Sequence, residues 1–108
     1  MKVKFKTNEL EYFYTTPLDE IKGKLPFQKD VIKQFKRKMQ ILLSIQHLEE
    51  LNQFKSLNFE FLKGDRKGEC SIRLNRTYRL LFIPMNEQHD DLIVEIILIN
   101  EISKHYQK

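Results

Sequence analysis

The sequence predicts an α+β domain, a helical hairpin packed on an antiparallel four- to five-stranded sheet. Three observations predict it. Over residues 27–44, Val31, Ile32, Phe35, Met39, Leu42 and Leu43 recur at helical spacing, with Lys29, Lys33, Lys36 and Arg37 on the opposite side. In the second half, apolar residues alternate (Leu57, Phe59, Phe61; Cys70, Ile72, Leu74) or run almost unbroken over 92–99, as half-buried and central strands do. The elements are also segregated: one strand, two or three helices, then a four-strand meander. With 108 residues, 41% hydrophobic and 31% charged, the chain suffices for one domain, residues 1–108, around a single core.

Each element has a local reason. Lys2 to Lys6 alternates charge and apolar residues with a period of two, which predicts a short strand. Asn8 is a candidate cap for a short helix over 9–15 that puts Leu10, Phe13 and Tyr14 on one side. Thr16 to Pro26 holds two prolines and a glycine and reads as a loop. Pro26 then precedes the long helix, and His47 to Phe54, with Leu48 and Leu51, predicts the second arm of the hairpin. Strands follow over 57–62, 69–74, 77–83 and 92–99. Asn75-Arg76 is a tight turn, and 84–91 is a polar connection. Glu101 to Lys108 reads as a short tail.

Charge is segregated. Residues 63–79 carry six basic side chains (Lys63, Arg66, Lys67, Arg73, Arg76, Arg79) and two acidic ones (Asp65, Glu69). That surplus equals the formal net charge of the whole chain, +4, so the remainder is balanced. Four of the five arginines lie in this segment, and arginine is the side chain best suited to bidentate phosphate recognition. The pattern is an electrostatic footprint for nucleic acid; its bland counterpart is a solvated basic face. On the 69–74 strand, Ser71, Arg73 and Asn75 point away from the helices. A two-residue turn places Arg73 opposite Tyr78 and Arg79 on the other face. A three-residue loop with a bulge places Arg73 and Arg79 on one face.

Other chemistry is sparse. The lone Cys70 forms no intramolecular disulfide and no cysteine metal cluster, and its alternation with Ile72 and Leu74 marks it as a buried small hydrophobe. A cytoplasmic protein fits: the N-terminus lacks the apolar run of a signal peptide, and no run spans a membrane. The loop from Gly64 to Gly68 can bring N–H groups and cations to a phosphate, but the GK[ST] of a P-loop is missing. GxSxG, HExxH and CxxC are absent, so neither a serine hydrolase nor a metal centre is supported. His105 and Tyr106 can both move protons; His47 and His89 have no supporting context.

The run Leu62-Lys63-Gly64-Asp65-Arg66-Lys67-Gly68, then Ser71-Ile72-Arg73-Leu74-Asn75 and Tyr78-Arg79-Leu80, resembles the HigB-type "plasmid maintenance killer" toxins of the RelE/ParE superfamily. The likeness extends back through Lys29 to Lys38 and Leu48-Glu49-Glu50-Leu51, and to Lys4-Phe5-Lys6 with Leu10-Glu11. It implies a RelE-like fold and a toxin that cuts mRNA at the ribosomal A site. No metal or other cofactor takes part. The ribose 2′-OH attacks the adjacent phosphate, which needs a base, an acid and cations for the transition state. On this resemblance Lys63, Arg73 and Arg79 are the phosphate and transition-state contacts. Arg66, Lys67, Arg76 and Asn100 contact RNA.

The chain departs from the family pattern twice. Many relatives have a histidine three residues before the motif lysine, where this chain has Glu60, a possible base. Many end in Asp-Tyr-His after the last strand, whereas this chain runs on to Ile102-Ser103-Lys104-His105-Tyr106, as other relatives do. The acid/base role is therefore carried to His105 and Tyr106. The implied partners are the ribosome, mRNA and a cognate antitoxin, HigA-like with a helix-turn-helix, the pair repressing its own operon; no membrane is implied. Two alternatives stand: a ParE-like poison of DNA gyrase on the same fold, and a non-catalytic RNA-binding module.

Overall fold

The computed structural model describes residues 1–104. The chain order is β1 (Lys2–Phe5), α1 (Asn8–Thr15), α2 (Lys29–Ser44), β2 (Glu60–Phe61), β3 (Cys70–Arg73), β4 (Tyr78–His89) and β5 (Leu92–Lys104), with short 3-10 turns between. The five strands form one sheet in the order β1-β5-β4-β3-β2. Both helices cover one face, and the core lies between the layers. Leu10 and Phe13 of α1 and Val31, Ile32, Phe35, Met39 and Leu42 of α2 pack on Cys70, Ile72, Leu80, Phe82, Ile97 and Ile99.

The α2 stripe holds as predicted except at Leu43, which is exposed because it falls one helical step past Leu42. The N-cap of α1 is Thr7, whose hydroxyl accepts from the Leu10 amide at 3.2 Å, rather than Asn8. Residues 48–53 form a 3-10 turn instead of a helical arm. The Glu50 carboxylate accepts the amides of Gln46 and His47 at 2.7 Å each, and so short a segment does not repay α-helix nucleation. The paired helices are α1 and α2. Lys36 Nζ donates to the Tyr14 carbonyl at 2.9 Å and to that of Thr16, capping the C-terminal end of α1 with a cation. Gln40 Nε2 bonds the Tyr14 hydroxyl at 2.8 Å.

The sheet is mixed. β1 pairs with β5 in parallel, Val3 opposite Ile97 and Phe5 opposite Ile99, with both helices and strands β2 to β4 in the connection between them. The 57–62 strand shrinks to Glu60–Phe61. Leu57 is buried in a 3-10 turn and Asn58 is left-handed (φ 46°), which breaks the extended run. Phe61 projects beyond the sheet at 63% exposure. The expected connection at 84–91 is largely strand: β4 continues through Pro84 to His89 and turns at Asp90, φ 55°. β3 pairs β4 only as far as Phe82, so Pro84 sits where β4 has become an edge on that side.

The expected tail is strand as far as Lys104. Leu81 pairs with Glu101 and Phe82 with Ile99, so Asn100 is the extra residue of a β-bulge. The bulge breaks the period of two and lets Ile102 pack on the core with Ile99, hiding this end of the strand from sequence reading.

Burial pushes the Cys70 thiol up to about 12. At pH 8 the folded protein therefore presents a thiol rather than a thiolate, and Ellman's reagent should modify Cys70 only on denaturation. Stoichiometric modification of the native protein within minutes would contradict this burial.

Candidate functional site

The hairpin between β3 and β4 takes the bulged, three-residue geometry. The amides of Leu74 and Asn75 both donate to the Tyr78 carbonyl, at 2.9 and 3.2 Å. The Asn75 side-chain oxygen accepts the amides of Thr77 and Tyr78 at 2.8 Å each. Arg73 therefore stands directly opposite Arg79, and the two share the face away from the helices. Registers across the sheet put Glu60, Ser71, Leu81 and Glu101 in one row of that face and Arg73, Arg79 and Ser103 in the next.

Arg79 is anchored, with its side chain only 12% exposed. Its Nε donates to the Ser71 hydroxyl and its Nη2 to the Asn58 carbonyl at 2.7 Å. The Glu60 carboxylate, 56% exposed, lies 3.6 Å from the same Nη2. Arg73 Nε donates to the Asn75 carbonyl at 3.2 Å, tying it to the hairpin turn. The site thus has two opposed cations and one half-exposed carboxylate on the face away from the helices.

The loop before β3 is fastened from beneath. Gly64 and Gly68 have φ of 67° and 99°, which a Cβ would disfavour, so the chain turns sharply at both ends. Arg66 Nη1 reaches both carboxylate oxygens of Glu69 at 3.1 Å, and its Nη2 pairs with Glu101 at 2.7 Å. The bond to Glu101 leads the contacts that hold the Arg66 guanidinium above its ordinary value. Asn100 Nδ2 also donates to Glu69, while its Oδ1 is buried with no protein partner. Arg66 and Asn100 thus fasten the loop to β5.

Lys63, Lys67 and Arg76 are exposed, and among the described residues none of them makes an ion pair. His105 and Tyr106 lie outside the described residues. Lys104, just before them, pairs with Tyr78 beside the hairpin. Sequence reasoning missed Ser71, Asn58, Glu69 and Glu101 as members of this site. The alternation of Ser71 with Arg73 was the available signal for the first. Among the described residues, no group of three or more His, Cys, Asp or Glu side chains comes together as a metal site, and no helix is long and apolar enough to cross a membrane.

Like charges directly opposed across strands oppose folding by roughly 0.2–1 kcal/mol, and salt screens them. The thermal midpoint should rise by a few degrees between low salt and about 0.5 M NaCl, and Arg73→Gln should remove most of that rise. A midpoint that is flat or falls with salt would contradict a clustered cationic face.

Comparison with known proteins bears on the whole domain. Residues 3–97 match the family model for HigB-like toxins, described as RelE-like toxin of type II toxin-antitoxin system HigB. The chain is 37% identical over 82 residues to Toxin HigB-1 of Vibrio cholerae serotype O1 (strain ATCC 39315 / El Tor Inaba N16961). That alignment covers 76% of this chain and 82% of the relative. A solved YoeB/ParE toxin from Agrobacterium tumefaciens aligns with a TM-score of 0.52 over 98% of this chain and 100% of its own. At 14% identity that likeness shows the fold alone. The family match stops at Ile97, so Asn100, His105 and Tyr106 lie beyond it.

Proposed function

Because this chain belongs to the HigB-like family of RelE-like toxins of type II toxin–antitoxin systems, with a cognate antitoxin as partner, we propose that it is a ribosome-dependent mRNA endonuclease. The observation that supports this reading best is the pair of opposed arginines, Arg73 and Arg79, on the face away from the helices with the Glu60 carboxylate 3.6 Å from Arg79. Those are the parts that transfer at phosphorus needs.

In the proposed reaction the ribose 2′-OH loses its proton to a base and its oxygen attacks the adjacent phosphate. The bond to the 5′ oxygen breaks, and an acid protonates that leaving oxygen. The products are a 2′,3′-cyclic phosphate and a 5′-OH. Charge builds on the non-bridging oxygens, where Arg73, Arg79 and Lys63 supply compensating cations. Glu60 is the candidate base; its own charge is offset by Arg79, so it does not face the phosphate alone. His105 and Tyr106 are the proposed acid/base pair. Lys67 and Arg76, exposed at the flanking loop and hairpin tip, suit phosphate-backbone contacts that add affinity without sequence information.

The ribosome and mRNA are the proposed partners, and a HigA-like, helix-turn-helix antitoxin the proposed inhibitor. A reconstituted translation reaction tests the reading. The wild-type protein should cut a reporter mRNA only while ribosomes translate it, and His105→Ala/Tyr106→Phe should stop the cutting. Cleavage of naked RNA at the same rate would contradict ribosome dependence, and intact mRNA under translation would contradict the nuclease.

A further inference from the structure

Ser71 is fully buried, and among the described residues it stands alone as a polar side chain in that class. It lies on the face away from the helices, in the row beside the opposed arginines. A buried hydroxyl needs a partner, and here the Arg79 Nε–H supplies it. We propose that Ser71 is a positioning residue for Arg79, holding the guanidinium where a phosphate meets it; the proposal rests on Arg79 being the phosphate contact.

The geometry states what is held. A guanidinium has five N–H donors in a fixed plane. The Nε–H is committed to Ser71 and an Nη2 hydrogen to the Asn58 carbonyl at 2.7 Å. Two bonds on one side of a planar group fix both its position and its tilt. The Nη1 hydrogens remain for an incoming phosphate. The Asn58 carbonyl points at Arg79 because Asn58 is left-handed (φ 46°, ψ 51°), so the break in the strand before Glu60 has a use at the site.

Holding is needed because Arg73 is the direct cross-strand neighbour of Arg79. Two like charges so placed repel, and a free Arg79 would swing away from Arg73 and into solvent. Glu60 alone restrains it weakly, being half-exposed and 3.6 Å away. The Ser71 hydroxyl bonds Nε, where the guanidinium joins the flexible methylene chain, so it pins the near end of the planar group while Asn58 holds Nη2. Loss of about 1 Å of placement costs on the order of 10²-fold in rate.

The test uses the purified full chain and two readouts. The first is hydrogen exchange of the Arg79 Nε–H by nuclear magnetic resonance, with the signal assigned by its loss in Arg79→Lys. It should exchange much more slowly than that of an exposed arginine in the wild type, and at the exposed rate in Ser71→Ala. The second is translation-dependent mRNA cleavage. Ser71→Ala should lower kcat on the order of 10²-fold when assayed well below its own thermal midpoint, and Ser71→Thr, which keeps the hydroxyl, should restore most of it. Fast exchange in the wild type, or a Ser71→Ala protein that cuts at the wild-type rate, overturns the proposal. If Ser71→Ala fails to fold, the wild-type exchange rate and the Ser71→Thr rate decide it. A wild-type protein that cuts no mRNA sinks the nuclease reading, while the exchange measurement still decides whether Ser71 holds Arg79.

Discussion

Arg79→Ala is expected to lower the rate of mRNA cleavage by about 10²–10³-fold, the usual cost of removing one preorganised transition-state donor. The effect should appear in kcat more than in KM, because the cation acts on charge that develops only in the transition state. Arg79→Lys should not rescue it. An ammonium cannot span the Ser71 hydroxyl and the Asn58 carbonyl while also facing a phosphate. Growth arrest on induced expression should fall in parallel. The substitution also leaves the Ser71 hydroxyl buried and unpaired, a cost of about 1–3 kcal/mol. The rate must therefore be measured well below the thermal midpoint of the variant. An Arg79→Ala protein that is folded and within threefold of the wild-type rate would remove Arg79 from the chemistry.

Phe82→Ala should have the largest effect on stability. Phe82 is fully buried at the centre of the sheet, paired with Cys70 on one side and Ile99 on the other, and its ring stacks on Phe59 at 6.3 Å. Truncating a buried phenylalanine costs about 3–5 kcal/mol, against a total of about 5–15 kcal/mol for a domain. The thermal midpoint should fall by roughly 12–40 °C. The same strand carries Arg79 three residues earlier, so partial unfolding here disorganises the site as well. A fall of less than about 5 °C would mean that the sheet centre repacks around the cavity.

Much of this molecule was legible where one residue decides one thing. The α2 stripe from Val31 to Leu42 and the alternation of Cys70, Ile72 and Leu74 each report burial directly, and all of these side chains are buried. What stayed hidden depends on partners distant in sequence. The parallel pairing of Val3 with Ile97 has no local signature. Pro84 looks like a turn until one knows that β3 has already ended beside it. The bulge at Asn100 shifts the face of every residue after it, which made Glu101 to Lys104 look like a tail.

The site divides the same way. The arginine cluster was visible as a charge surplus. The shared face of Arg73 and Arg79 hung on whether the hairpin loop had two residues or three, and both loops suit the same residues. The Asn75 side chain, accepting two amides in the turn, is what fixes the answer. Arg66 reads in the sequence as an RNA contact; its partner Glu101 is 35 residues away and gives no local signal.

Mapping mRNA 5′ ends in bacteria after induced expression of the wild type, Arg73→Ala and His105→Ala/Tyr106→Phe tests the nuclease and its proposed residues together. Cuts within translated codons that need ongoing translation and vanish in both variants are expected. Growth arrest by the wild type with mRNA intact would contradict the nuclease and point to a gyrase poison on the same fold.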